Sequence, residues 1–176
     1  GHLKIEFLLH LYRHMDTAGR WVVRISYLLG AMSALVMLGS LLVGVFYRYV
    51  LDASLAWSDE VATLAFIWTI FLFSSALVRD FGHVRVALLL DALPRLAAEV
   101  FERAIVILVL IFGYILLTTG WDYTEFTANR VSAAVRYPMW LQNAAIPVCG
   151  GLIIFHAVVL LLRPTWIRDM PEVNNG

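Results

Sequence analysis

Four stretches of the chain, residues 25–47, 61–78, 104–121 and 137–162, contain no Asp, Glu, Lys or Arg. They run to 23, 18, 18 and 26 residues. A helix needs about 20 mostly apolar residues to cross the hydrocarbon of a bilayer, and flanking residues can lengthen a short run into the headgroups. Each stretch is continuously apolar, whereas a lipid-facing barrel strand would alternate apolar and polar positions. Four such runs in one small chain weigh against buried helices of a soluble protein. The pattern predicts an all-α integral membrane protein with four transmembrane helices. No small-residue cleavage site follows the run that starts at Ile25, so it reads as a span rather than a signal peptide.

The polar segments divide the rest into an N-terminal arm over 1–20, a four-helix membrane region over 21–165 and a tail over 166–176. Gly1-His2 reads as a cloning scar outside the fold. In the arm, Ile5, Leu8, Leu9, Leu11 and Tyr12 lie between Lys4 and Arg13. This predicts a short interfacial amphipathic helix on the membrane surface, with a frayed arm as the alternative. The second connection reads LDALPRLAAEVFER. Pro94 suits a helix start. Arg95, Glu99 and Arg103 fall four apart on one face, opposite Leu96, Ala97, Val100 and Phe101, an amphipathic lead-in to the third span. Pro147 is expected to kink the fourth helix.

Composition agrees with the pattern. The chain of 176 residues is 61% hydrophobic and 15% charged, with a mean hydropathy of +0.81; soluble domains carry about 45–50% apolar and about 25% charged residues. Thirteen Lys and Arg balance thirteen Asp and Glu, which argues against nucleic acid as a partner. The single cysteine, Cys149, excludes an intrachain disulfide and a cysteine-cluster metal site.

Basic residues set the expected orientation. The arm, the second connection and the tail carry ten Lys and Arg, and the first and third connections carry three: Arg48, Arg130 and Arg136. The positive-inside rule then puts both termini in the cytoplasm and the first and third connections outside. Trp21, Trp57, Trp121, Tyr123, Tyr137, Trp140 and Trp166 stand at or near span ends, as interfacial aromatics do.

Candidate chemistry inside the spans is sparse. Ionisable groups within a membrane mark ion and proton paths, and here only His156 qualifies, about 9 Å from the cytoplasmic end by helical rise. It reads as an imidazole bonded to a neighbouring helix, with proton handling as the alternative. Cys149 reads as a small buried apolar residue. An independent four-helix oxidoreductase would need His or Cys pairs, and a small homodimeric exporter would need an intramembrane acid. Neither set is available, and no catalytic or cofactor-binding constellation is found.

Three features remain. In FYRYVLDASLAWSDE, Arg48 ends the first span, and Ser58 is placed to cap the second helix. Asp59 and Glu60 then sit in its first turn, where the helix dipole favours acids. Trp57, Asp59 and Glu60 equally make an acidic, aromatic step that could grip a basic partner. In LVRDFGHVRVALLLDALP, Arg79 and His83 lie four apart beside Gly82. They read as ordinary cytoplasmic anchoring, or as a specific turn that pins the loop or binds lipid phosphate. Finally, small residues recur at helical spacing: Gly30, Ala34, Ser40 and Gly44 on the first helix and Ala62, Ala65 and Thr69 on the second. Gly150, Gly151 and Ala157 do so less strictly on the fourth. Small residues let helices approach closely in lipid.

These residues resemble the small membrane subunit of tripartite ATP-independent periplasmic (TRAP) transporters. The likeness spans roughly residues 20–165. It rests on RYVL at 48–51, WSDEVATLAFIWTIFLFSSALVR at 57–79, His83, Leu93-Pro94, and Pro138, Trp140, Pro147 and Phe155-His156. It departs where the family often has His-x-x-Val-Asp-Leu: this chain has Ala87 at the Asp position, leaving Asp80 or Asp91 as candidate partners for Arg79. The resemblance implies a subunit of the bacterial inner membrane that is not an enzyme and carries no cofactor of its own. It implies a large polytopic membrane subunit holding the substrate and sodium sites, and a periplasmic binding protein that delivers an organic acid. This chain would then anchor the large subunit among the membrane lipids and help form the outer docking surface.

Overall fold

The computed structural model describes residues 2–92 and 94–162, without the side chains at 81–92 and 95. The chain forms α1 (His2–Tyr49), α2 (Ala56–Ala92), α3 (Arg95–Phe126), α4 (Met139–Asn143) and α5 (Ala145–Leu161). Among the described residues the only extended pairing is one isolated bridge, Val131 to Pro138. Among the described residues four segments are long and apolar enough to cross a membrane: His2–Tyr49, Ala56–Asp80, Leu96–Phe126 and Met139–Leu161. The all-helical membrane class expected from the pattern is the class observed.

Prolines set the boundaries. α1 and α2 contain none, and each runs unbroken. Pro94 and Pro138 stand in extended conformation directly before α3 and α4. Pro147 has no N–H for the carbonyl of Asn143, and its ring crowds that carbonyl. The fourth span is accordingly interrupted at Ala144, which separates α4 from α5. The kink expected from Pro147 thus takes the form of a break three residues upstream.

Two expected boundaries are not there. The arm is no separate short helix: α1 is one helix of 48 residues, about 72 Å long. That is more than twice the ~30 Å hydrocarbon thickness. No proline interrupts it, and its isolated glycines each cost only about 1 kcal/mol in a helix interior. For the same reason α2 does not turn at Gly82 but continues to Ala92. The side chains of His83, Arg85, Ala87 and Asp91, and the tail from residue 163, lie outside the described residues.

α1 and α2 form an antiparallel pair. The protected positions of α1 include Asp16, Gly19, Val23, Ser26, Gly30, Ser33, Met37, Ser40, Gly44 and Tyr47. Their spacing alternates between three and four, a heptad seam. α2 answers with Ser58, Ala62, Ala65, Thr69, Leu72, Ala76 and Arg79, all buried at the same alternation. Most of these side chains are small, so the two backbones lie close. A Cβ at Gly44 would meet Ser58 Oγ at 2.6 Å, and one at Gly30 would meet the Phe73 ring at 3.1 Å.

α3 and α5 form a second pair. A Cβ on Gly150 would lie 2.5 Å from the Leu117 backbone nitrogen. Gly113 faces Ile153 and the Gly150 carbonyl, and Gly120 faces Ile146 and Pro147. α5 also packs on α2 and α1, which makes it the central element. Of the most apolar 18 residues in each span, 44% are buried in Met139–Leu161 against 6% in Leu96–Phe126.

Candidate functional surfaces

Two ends of the bundle carry the polar side chains. The first holds the α1–α2 connection and the segment between α3 and α4. α1 ends with Val50 N–H on the Phe46 carbonyl and Ala53 N–H on the Tyr47 carbonyl. Asp52 between them is left-handed, with φ of 50°. The chain after α3 folds into a small hairpin. Ser132 N–H donates to the Tyr137 carbonyl at 3.0 Å, and Met139 N–H to the Arg130 carbonyl at 2.9 Å. Arg136 takes the left-handed conformation at its turn, with φ of 59°.

Glu60 holds this hairpin. Ala134 N–H and Val135 N–H donate to its two carboxylate oxygens, each at 2.8 Å. Consecutive backbone donors aimed at one carboxylate make an anion-binding nest, here filled from within the chain. Two further ties anchor the segment. Trp68 Nε1 donates to the Leu141 carbonyl at 2.9 Å, and Asn143 Nδ2 donates to Thr127 Oγ1 at 2.6 Å between two buried side chains. Glu60 is therefore engaged inside the fold, whereas Arg48, Trp57 and Asp59 are exposed around it. Ser58 does not cap α2, because the helix already begins at Ala56. Its hydroxyl turns back to the Leu55 carbonyl at 3.1 Å, buried against Gly44.

The second end is built on Arg79. The sequence suggests a loop or lipid contact for this residue, yet it lies within α2 and is 4% exposed. Its Nη2 donates to Asp16 Oδ1 at 2.5 Å and to the Asp16 carbonyl at 3.1 Å. The partner seen thus comes from α1 rather than from Asp80, and the side chain of Asp91 lies outside the described residues. Asp80 instead accepts from the Tyr27 hydroxyl. Gly19 makes room for the guanidinium, since a Cβ there would lie 2.1 Å from Arg79 Nη1. Nearby, Arg103 Nη1 donates to the Leu161 carbonyl at 3.1 Å, joining the start of α3 to the end of α5. His156 is fully buried on α5.

Of the small residues singled out from spacing, Gly30, Ser40, Ala62, Ala65 and Thr69 are buried, and Ala34 and Gly44 are half-buried. The heptad through Gly30 and Gly44 extends back to Asp16 and Gly19, whose roles the small-residue pattern alone does not mark. Gly113 and Gly120, seven apart, carried the same signal on α3. The Glu60 hairpin has no periodic signature, because its partners are 74 and 75 residues away. Among the described residues no group of three His, Cys, Asp or Glu could hold a metal ion.

Long apolar helices joined by small-residue seams, with polar ties at both ends, define a multi-pass helical membrane protein. Residues 37–165 match the family model described as tripartite ATP-independent periplasmic transporters, DctQ component. The chain belongs to this family, one of transporters rather than enzymes, and is a small TRAP transporter subunit. It is also similar to a protein of Haemophilus influenzae whose name marks it as a candidate small permease of a TRAP transporter. The two are 25% identical over 136 residues, which cover 77% of this chain and 80% of that protein.

Proposed function

We propose that the chain is the static scaffold subunit of a sodium-coupled system that takes up an organic acid delivered by a periplasmic binding protein. It anchors a large polytopic subunit in the inner membrane and contributes to the outer docking surface. One observation carries the reading: the four apolar runs hold no charged side chain, so they offer a solute or ion no path of their own. The polar groups described above are mostly spent on joining helices. Solute and sodium sites then belong to the partner. The excess of basic residues in the arm, second connection and tail supports cytoplasmic termini, with the hairpin and the 50–55 connection outside.

Membrane extraction with a tag on this chain tests the reading. A larger polytopic protein should co-purify in equal amount, and the isolated chain in vesicles should transport nothing under a sodium gradient. Uptake of an organic acid by the lone chain would refute the scaffold role. On the outer face, Asp59→Lys isolates docking, because Asp59 is exposed. Glu60→Lys would also release the hairpin, so it cannot separate the two effects. Unchanged uptake in Asp59→Lys would remove Asp59 from the docking surface.

A further inference from the structure

We propose that His10 and His14 form a two-imidazole chelate on the N-terminal arm of α1 that binds a divalent transition cation, and that its geometry suits Zn²⁺. The two residues stand four apart in a helix, so their side chains share one face. Their Nε2 atoms converge to 3.2 Å, with the rings edge to face and 4.4 Å between centroids. Both residues are exposed. They lie off the protected stripe of α1, which here runs through Leu9, Tyr12 and Asp16. An ion arriving from water can therefore reach both nitrogens without disturbing the packing of the helix.

The spacing of the nitrogens discriminates between cations. With a Zn–N bond of about 2.0–2.1 Å, a separation of 3.2 Å corresponds to an N–Zn–N angle of about 100–106°. That is close to the tetrahedral arrangement zinc adopts. A square-planar cation at similar bond lengths would need the nitrogens about 2.8–3.0 Å apart. Imidazole serves zinc, copper and nickel alike, so the angle rather than the ligand type favours zinc. The competing occupant is a proton, since one neutral imidazole can donate to the other, and proton and metal exclude one another at the same nitrogen. Glu6 and Arg13 flank the pair with opposite charges, so the local field does not repel a cation. Two protein ligands leave the remaining positions to water, which makes this a reversible surface chelate rather than a closed structural site. A bound ion braces one turn of the arm and stabilises the helix there in proportion to its occupancy.

The test is isothermal titration of ZnCl₂ into the full-length chain in lipid nanodiscs, with any affinity tag removed. The parent chain should bind one ion. His10→Gln and His14→Gln should each lower the affinity at least about tenfold, because each removes the second arm of the chelate. His2→Gln and His83→Gln should leave it unchanged. Equal affinity in the parent chain and either arm variant would overturn the chelate, and so would loss of binding in the His2 or His83 variant. Amide exchange gives a second reading. Saturating zinc should slow exchange across residues 10–14 of the parent chain and leave it unaltered in His14→Gln. Unchanged exchange in the zinc-loaded parent chain would overturn the bracing of the arm.

Discussion

Gly150 offers the sharpest test of how the two helix pairs are held. A Cβ at this position would lie 2.5 Å from Leu117 N, 2.8 Å from the Gly113 carbonyl oxygen and 2.9 Å from Leu117 Cα. All three are backbone atoms, so no side chain can swing away. Restoring ordinary contact requires α3 and α5 to separate by about 1 Å, and a gap of that size forfeits up to about half of the attraction between facing atoms. Overpacking of this kind costs roughly 1–3 kcal/mol. Alanine recovers about 0.5–1 kcal/mol of helix propensity lost to glycine, which blurs a comparison with the parent chain. Gly39 supplies the control, because nothing lies within 4 Å of a Cβ there. The propensity gain is common to both substitutions, so the difference between Gly150→Ala and Gly39→Ala isolates the packing term. Reversible unfolding in mixed micelles should place Gly150→Ala roughly 1–3 kcal/mol below Gly39→Ala. Equal stability of the two variants would show that the α3–α5 backbone contact does not hold the fold.

Three further outcomes are expected. Asp16→Leu leaves the Arg79 guanidinium buried and unpaired, a loss of roughly 3–5 kcal/mol; adding Arg79→Met should restore much of it in the same unfolding assay. Arg20→Ala should change stability by less than about 1 kcal/mol, because Arg20 reaches Asp16 only at 3.9 Å from an exposed position. Glu60→Gln removes one of two charge-assisted acceptors from the hairpin, so amide exchange at Ala134 or Val135 should accelerate roughly tenfold or more; unchanged exchange at both would dismiss Glu60 as the hairpin's anchor.

The membrane class and the number of spans could be read from the sequence because charge-free runs follow directly from the solvent a helix must sit in. Small residues at spacings of three and four likewise mark where helices meet, as Gly30 and Ser40 do. Long-range polar pairing has no such signature. Arg79 ends an apolar run at a place where positive-inside anchoring is the usual explanation, and only the fold brings Asp16 beside it from α1. Glu60 sits where an acid is favoured by the helix dipole alone, which conceals its hold on Ala134 and Val135. Hydropathy understates helix length for a related reason. Polar residues in the arm and around Gly82 interrupt hydropathy, but they do not interrupt a backbone that lacks proline.

The location of these ties bears on the proposed scaffold role. Helices that slide past one another need smooth faces and exchangeable contacts. Here the α1–α2 seam interlocks at Gly30 with Phe73 and Gly44 with Ser58, and α3–α5 interlocks backbone to backbone at Gly150. Polar ties then fix the register at both ends, through Asp16 and Arg79 at one and through Glu60 and the hairpin at the other. Sliding α1 along α2 by a single turn would strand a buried guanidinium, and sliding α3 along α5 would bring side chains against backbone, both costly in a closely packed interior. The bundle therefore resists shear. Meanwhile α3 keeps Leu108, Ile111, Phe112 and Ile115 exposed on its surface, and α1 keeps Leu28, Leu35 and Leu42 exposed. A partner packed against these faces could move relative to a fixed reference without deforming it.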